Sequence, residues 1–391
     1  MKVAVIVNEL NIRGGTHKQV LRLCEYLQKK GIQLSLITRF YEPEKTYKGF
    51  ENYDLRYLYK EYPSLYTDTG AVAKLKRLAL RDKEDDRLYE LIPKDADIIN
   101  VHDNFLDGII RRAKRDGKPV VWQINDLDPM FGVGVSDIST KSIKNMIKRS
   151  IYLNNIKDVD RITVNVSKNA ERVKQCFGRD AKVYYCGVDI NEKLSKHSYR
   201  DTEVFRLLGM GVFFPYRNYE TLVEVVRILK KDGKNVRLDL AGSTEQDKEY
   251  SAKISRMISE YGLENEVKIW GQVDDETYNR LFNDADTFAF INIEQSWGLA
   301  VFEAMSAGLP TIVSCSVGAT ELLHDGTDAV IVDPKDPVQI KEVVEILMAD
   351  RDYYDSLSDN AYNIVKEYSW DKLYSAGILE LFEQMTEKGI E

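Results

Sequence analysis

The sequence has no long apolar run, few cysteines and no excess of basic residues, and each absence excludes a class of protein. No stretch of about 18 apolar residues occurs, so no segment is expected to span a bilayer. The four cysteines, at positions 24, 176, 186 and 315, lack the spacing of a zinc site or a disulfide framework, which favours reduced thiols. A net charge of −8 argues against a general nucleic-acid binder, because phosphate contacts need clustered lysine and arginine.

The first residues, MKVAVIVNEL, enter a strand pattern directly and lack the layout of a secretory leader. We therefore expect a cytoplasmic protein. With 391 residues, 43% of them hydrophobic, the chain is long enough to build two domains of ordinary size.

Short apolar runs alternate with helical patterns along the first half, which predicts a doubly wound parallel sheet over residues 1–195. Residues 41–87 interrupt this alternation. They are rich in tyrosine and charge and show little periodicity, so we interpret them as an irregular insertion that forms part of an acceptor-facing surface. The runs predicted as strands are residues 2–8, 32–38, 96–102, 119–125, 161–167 and 182–188.

A second insertion, residues 139–155, has apolar residues at helical spacing and no acidic residue. Such a helix can lie on an anionic membrane surface, which would make the protein peripheral at the inner face of a membrane. The alternative is an ordinary surface helix with a solvated basic face. Its basic residues are Lys141, Lys144, Lys148 and Arg149.

The alternation starts again after a polar linker near residues 191–202 and predicts a second α/β domain over residues 196–369. Two doubly wound domains facing a cleft would bind ligands at the carboxyl ends of their strands. Residues 370–391 predict a C-terminal helix that crosses back to the first domain.

A carboxylate, Glu303, lies in an apolar helix within the stretch QSWGLAVFEAMSAGLPTIVS. Burying it would be costly without a hydrogen-bonding partner, and the helix start at Gly298-Leu299 offers N–H groups that suit a phosphate. This pairing predicts a nucleotide diphosphate with its ribose; the alternative is a glutamate that faces solvent or pairs with a basic residue. The turn at Gly14-Gly15 could also admit a phosphate, although a tight turn alone would explain its glycines.

Several spaced motifs together resemble the family-4 retaining glycosyltransferases of the GT-B fold. The resemblance implies two Rossmann-like domains, the first on the acceptor side and the second on the donor side. It also implies transfer of a sugar from a nucleotide diphosphate sugar to an acceptor hydroxyl, with the anomeric configuration kept. The motifs are GGTHKQVLRLCEYLQKKG, NVHD, ITVNVSKNAERVKQCFG, CGVD, LAGS, VKIWGQV, WGLAVFEAMSAGLPTIVS and VGATELLHDG.

The same resemblance implies roles for individual residues. Glu303 would hold the ribose hydroxyls, and Arg217 would neutralise the leaving diphosphate without a metal. His102 and Asp126 are candidate acceptor contacts. The loops and amides expected to meet the donor diphosphate belong to Gly14, Gly15, Gly211, Gly298 and Leu299.

Three positions depart from the family pattern. Gln295 stands where the first acid of a glutamate pair is usual, Asn125 where a histidine is usual, and Val212 where an arginine is usual. Gln295 and Asn125 can still hydrogen-bond sugar hydroxyls, and with Arg217 they are the catalytic candidates. The departures leave open an unusual donor sugar or a protein without turnover.

We therefore expect a metal-independent retaining glycosyltransferase that uses a nucleotide sugar, with UDP- or GDP-sugar favoured, and needs no further cofactor. The expected acceptor is a glycan or a lipid-linked glycan, in surface polysaccharide or lipid-linked glycan synthesis, and no nucleic-acid partner is expected. One alternative is a non-catalytic protein that binds a glycan or stabilises an active transferase. Another is a phosphorylase or a nucleotide-sugar epimerase on the same fold.

Overall fold

The structure, a computed structural model, describes residues 1–68, 70–102, 104, 106–126, 140–191 and 194–387, with the backbone alone for 140–145. It divides into two compact units. The first unit combines Met1–Gly187 with Trp370–Glu391, and the second is Val188–Ser369.

The first unit is built on a seven-stranded parallel sheet with the strand order β3-β2-β1-β4-β5-β6-β7. All five residues of β4 and all five of β5 are buried, as expected for central parallel strands covered on both faces. The strands are β1 Lys2–Leu10, β2 Gln33–Tyr41, β3 Asp54–Tyr59, β4 Ile98–His102, β5 Val120–Ile124, β6 Arg161–Val164 and β7 Lys182–Val183. The helices before residue 188 are α1 Gly15–Lys29, α2 Ser64–Thr67, α3 Ala71–Glu90, α4 Asp107–Arg115, α5 Thr140–Ile156 and α6 Ser167–Phe177, with a 3-10 turn at Phe50–Asn52.

The prediction of an irregular insertion over residues 41–87 is wrong, because this segment contains β3, α2 and most of α3. Strand β3 lies at the edge of the sheet, where only part of each side chain is covered. Helix α3 buries Ala73, Glu84, Asp85 and Leu88. Because two of these four buried residues are carboxylates, the helix lacks the apolar periodicity by which sequence patterns are recognised.

The second unit contains a six-stranded parallel sheet with the strand order β10-β9-β8-β11-β12-β13, and its predicted alternation of strands and helices is confirmed. The strands are β8 Phe205–Met210, β9 Val236–Ala241, β10 Val267–Gly271, β11 Thr287–Phe290, β12 Thr311–Ser314 and β13 Val330–Val332. The helices are α7 Tyr219–Lys231, α8 Lys248–Glu260, α9 Asp275–Asp284, α10 Leu299–Ser306, α11 Pro337–Ala349 and α12 Arg351–Val365, with 3-10 turns at Pro215–Arg217 and Gly318–Leu322.

The chain beyond residue 369 forms a π-helical turn, Asp371–Ser375, followed by helix α13, Ala376–Glu387. Tyr374, Ile378 and Phe382 have no exposed surface, and the whole segment belongs to the first unit. The Tyr374 hydroxyl lies 3.5 Å from Oε1 of Gln123, to which it donates. This segment therefore completes the core of the first unit.

Candidate functional site

Two glycines bring the ends of β8 and β9 into close contact in the second unit. Gly211 has φ +142° and Gly242 has φ +149°, values that favour glycine. A β-carbon placed on Gly242 would lie 1.9 Å from the carbonyl oxygen of Gly211. The Gly211 N–H donates to the carbonyl of Ala241 at 2.8 Å. Only glycine at both positions permits this approach, which shapes the loop that leads to Arg217.

Gly242→Ala should therefore lower the free energy of unfolding by at least about 2 kcal/mol, because strain at positive φ adds to a direct clash. Gly262→Ala is the matched control, since Gly262 has φ +63° and nothing within 4 Å of an added β-carbon. Urea unfolding of both variants measures the difference. Equal losses would contradict the importance of the close approach.

Arg217 ends the 3-10 turn Pro215–Arg217, and its guanidinium lies against the backbone of Gly211. A β-carbon on Gly211 would stand 2.5 Å from the guanidinium carbon, so a larger residue there would displace the side chain. That carbon lies 5.2 Å from the ring centroid of Tyr216 and 5.7 Å from that of Phe290, within the range of cation–π contacts. The Nε atom is buried and has no hydrogen-bond partner among the described residues. A guanidinium held by rings with a donor left over is suited to an anionic ligand.

Helix α10 begins beside this arginine. Its N-cap, Gly298, has φ +139°, and an added β-carbon would lie 3.2 Å from the ring of Phe290 and 3.1 Å from Val317. The first N–H groups of a helix, here those of Leu299 and Ala300, have no intrahelical acceptor and form the positive end of the helix dipole. The ring of Phe290 thus lies next to both Arg217 and Gly298, and the structure brings these two predicted diphosphate contacts together.

Glu303 is half-buried on α10, and its Oε2 accepts a hydrogen bond of 2.7 Å from the hydroxyl of Tyr278. Neither interpretation from the sequence anticipated this partner, which is neutral and comes from α9. The other carboxylate oxygen has no hydrogen-bond partner within the described part of the chain. Glu303 can therefore keep its protein contact and still accept a hydroxyl from a ligand.

Gln295 lies in the loop between β11 and α10. Its backbone oxygen accepts from the Gly318 N–H at 3.0 Å, and its Oε1 accepts from Nδ2 of Asn292 at 3.2 Å. The same loop is tied to the arginine turn, because the Ile293 N–H donates to the carbonyl of Tyr216 at 2.7 Å. The amide NH₂ of Gln295 has no acceptor among the residues with described side chains, so it is free to donate to a ligand.

Sequence patterns did not identify Tyr278, Phe290 or Tyr216. Phe290 is the last residue of a buried strand and Tyr278 belongs to an amphipathic helix, positions at which an aromatic side chain ordinarily signals core packing. Of the three, Phe290 could have been identified from the sequence, because it lies near the end of a predicted strand and ligands bind at the strand ends of parallel sheets.

In the first unit, the glycine turn leads into α1, with Gly14 as its N-cap and Gly15 as its first residue. Asn125 follows β5, and its Nδ2 donates to Oγ1 of Thr16 at 3.0 Å and to Oε1 of Gln19 at 2.8 Å. Both amide hydrogens of Asn125 are thus engaged by the first turns of α1. This arrangement weighs against Asn125 donating to a sugar hydroxyl, and its catalytic role stays a prediction.

His17, on the first turn of α1, is a further polar residue that the sequence patterns missed. Its Nε2 lies 2.8 Å from the carbonyl oxygen of Glu9, so Nε2 is the protonated nitrogen and donates. Burial lowers the pKa of His17 below its usual value, which favours the neutral ring. The remaining nitrogen, Nδ1, would lie 3.2 Å from a β-carbon on Gly14. It therefore presents an acceptor, and not a cation, to the glycine turn.

The two candidate acceptor contacts differ in exposure. His102 has no exposed surface, and its Nε2 lies 2.7 Å from Oδ1 of Asn100. Burial lowers the pKa of His102 to about 3, so the ring stays neutral at physiological pH. Asp126 is exposed. The burial of His102 weighs against an acceptor contact, and both assignments stay predictions.

The predicted basic amphipathic helix is confirmed as a helix and corresponds to α5. Lys148 is exposed, whereas Arg149 is half-buried and donates to the carbonyl of Cys176 at 3.3 Å. The side chains of Lys141 and Lys144 lie outside the described residues. No described helix is long and apolar enough to cross a bilayer, and the described side chains include no group of His, Cys, Asp and Glu arranged to hold a metal ion.

Comparison with known proteins identifies the family. The family model described as "Glycosyltransferase Family 4" matches residues 13–192, and the one described as "Glycosyl transferases group 1" matches residues 191–364. An uncharacterised glycosyltransferase of Methanocaldococcus jannaschii is 25% identical over 396 residues, covering 95% of this chain and 96% of that protein. Sucrose synthase 1 of Hordeum vulgare is 28% identical over 240 residues, which are 52% of this chain and 30% of the plant protein.

Solved structures share the fold over nearly the whole chain. Sucrose-phosphate synthase from Thermosynechococcus elongatus has a TM-score of 0.78 at 16% identity, covering 99% of this chain and 100% of that one. HepE of Anabaena, in complex with UDP-glucose, has a TM-score of 0.72 at 17% identity, covering 98% and 100%. Both family models and these likenesses agree with the two parallel-sheet units, and the chain belongs to the family-4 glycosyltransferases of the GT-B fold.

Proposed function

We propose that this glycosyltransferase moves a sugar from a nucleotide diphosphate sugar to an acceptor hydroxyl, with retention of the anomeric configuration and without a metal ion. The observation that carries the proposal is the guanidinium of Arg217, held between Gly211 and two aromatic rings beside the start of α10, with an unused buried donor. This is the arrangement that a departing diphosphate needs.

Each group of the proposed site has a role in the transfer reaction. As the bond from the anomeric carbon to the diphosphate breaks, negative charge grows on the leaving oxygen, and Arg217 and the amides at the start of α10 stabilise it. The acceptor oxygen forms the new bond on the same face. Its proton passes to the departing phosphate, so the proposal needs no protein nucleophile or base.

The donor proposal is a UDP-sugar, with a GDP-sugar as the second choice. HepE, which shares the fold, was solved with UDP and with UDP-glucose, and this supports uridine as the base. In the second unit, the unpaired oxygen of Glu303 would accept from the two ribose hydroxyls, and the NH₂ group of Gln295 would donate to an oxygen of the donor. The proposed acceptor is a glycan or a lipid-linked glycan.

A panel of UDP-, GDP-, ADP- and dTDP-sugars tests the proposal, with release of free nucleotide diphosphate as the readout. Release from one donor, increased by a suitable acceptor, is the expected result. Retention is checked by NMR of the product's anomeric proton. Absence of release from every donor, with and without acceptors, would sink the proposal.

Two observations support the non-catalytic alternative. Val212 stands where the family usually has an arginine, and Asn125, which stands where a histidine is usual, has both amide hydrogens engaged by α1. It predicts no nucleotide binding by calorimetry. The phosphorylase and epimerase alternatives predict, respectively, activity that requires free phosphate and conversion of the donor with no acceptor present.

A further inference from the structure

Helix α3 carries apolar side chains on its outward face. Val72, Leu75 and Leu78 are each 67% exposed, and their spacing places them along one side of the helix. The opposite side is packed: Ala73 is buried, and the Arg77 guanidinium donates to backbone carbonyls of residues 65, 66 and 68. The orientation of the helix is therefore fixed, and its apolar stripe points to solvent.

The charged residues within the first half of α3 are all basic. Residues 71–81, AVAKLKRLALR, contain four basic residues and no acidic one, in a chain whose net charge is −8. Lys74 and Lys76 are exposed on either side of the stripe. Asp82 is the first acidic residue that follows, so positive charge and apolar surface coincide in the first half of α3.

Helix α5 repeats the pattern. Met146, Ile147 and Ile151 are 51%, 59% and 57% exposed, and Lys148 is exposed beside them. Its inward side is fixed by Tyr152, which is buried against the ring of Trp122. Two helices of the first unit thus turn apolar residues outward together with lysines.

Both helices pack against α4. Asp82 of α3 pairs with Arg111 of α4 at 2.7 Å, and Nδ2 of Asn155 on α5 donates to Oδ2 of Asp107 on α4 at 2.7 Å. α3, α4 and α5 are therefore neighbours within the first unit, and the two outward patches flank the same helix.

Large apolar side chains usually lie singly on the surface of a soluble protein, and a group of them marks an interaction site. Apolar residues bordered mainly by lysine match an anionic bilayer, in which acyl chains lie beneath phosphate headgroups. We propose that Val72, Leu75, Leu78, Met146, Ile147 and Ile151, with Lys74, Lys76 and Lys148, form a lipid-facing surface that docks on anionic membranes. This inference rests on the proposed function, in which it favours a lipid-linked acceptor over a free glycan.

The test uses the full-length protein and vesicles of phosphatidylcholine with and without phosphatidylglycerol, with sedimentation as the readout. The wild type should bind the anionic vesicles and not the neutral ones. Lys74→Glu/Lys76→Glu should weaken binding at least about tenfold, because each lysine near an anionic surface contributes about 1 kcal/mol. Leu75→Ser/Leu78→Ser should weaken it to a similar extent, because the apolar residues enter the acyl boundary.

The second unit supplies matched controls. Ile346 is 49% exposed on α11, and Lys231 is exposed at the end of α7, so Ile346→Ser and Lys231→Glu should leave vesicle binding unchanged. Binding that is equal for neutral and anionic vesicles, or unaffected by the α3 variants, would overturn the proposal. So would a dimer in solution that Leu75→Ser dissociates, because a second copy would then cover the surface.

A thermal unfolding measurement serves as the stability control for the apolar variants. Leu75→Ser/Leu78→Ser should not lower the unfolding midpoint, and a clear decrease would show that these side chains support packing and overturn the assignment. Release of nucleotide diphosphate with a water-soluble acceptor should be the same in all variants. A protein that binds vesicles but releases no nucleotide from any donor would keep the lipid-facing surface and lose the proposed function.

Discussion

Glu303→Ala should abolish measurable use of the nucleotide-sugar donor while the fold stays intact. In the proposed site the carboxylate accepts hydrogen bonds from the ribose, and hydrogen bonds to a charged group contribute about 1.5–3 kcal/mol each. Loss of two such bonds should lower kcat/KM at least about a hundredfold. Nucleotide release at several donor concentrations measures this loss.

Tyr278→Phe is the matched control for that experiment, because it removes the hydroxyl that donates to Glu303 and keeps the carboxylate. It should retain donor use, with a decrease far smaller than that of Glu303→Ala. If Glu303 serves only the contact with Tyr278, the two variants should lose the same free energy of unfolding and both remain active. That pair of results would assign the carboxylate to structure alone.

Arg217→Ala should lower kcat by about a hundredfold to a thousandfold, the range seen when one group that stabilises developing charge is removed. The donor KM should change much less, because the charge on the leaving oxygen grows only as the bond breaks. The fold should tolerate the change, since the guanidinium rests on Gly211 and on ring faces and its Nε makes no hydrogen bond to the described residues. Steady-state kinetics separate the two parameters.

Two further variants sharpen the comparison. Arg227→Ala removes an exposed arginine paired with Glu224 on α7 and should leave both kcat and KM unchanged. Arg217→Lys keeps a positive charge but loses the planar group that lies on Gly211, so its kcat should be intermediate. A change in KM with an unchanged kcat for Arg217→Ala would contradict a role in the transition state.

The central strands and the glycine turns were predictable from the sequence because each follows from a local rule. A strand covered on both faces is largely apolar, as residues 3–7 of β1 are, and the loop at Gly211 needs a backbone angle that glycine adopts without strain. Helix α3 was not predicted, because Glu84 and Asp85 occupy buried positions at which an apolar residue usually indicates a helix. Their burial is explained by distant partners, including Arg39 for Asp85 at 2.5 Å.

The candidate site shows the same limit. Side-chain types at the ends of strands could be read as donors or acceptors, but their partners are set by tertiary contacts across many residues. Asn125 meets Thr16 and Gln19, more than a hundred positions earlier, and only the folded chain shows that its amide hydrogens are engaged. The burial of His102 likewise depends on neighbours that no local pattern specifies.

The first unit is assembled from two separate segments of sequence, and this has a consequence for biosynthesis. Tyr374, Ile378 and Phe382 lie in its core, yet the ribosome adds them only after all of residues 188–369. Until these residues are added, the apolar surface that they cover in the first unit stays exposed, whereas the second unit is continuous in sequence and is complete before them. We therefore expect the first unit to reach its final packing after the second, although most of its residues are translated earlier.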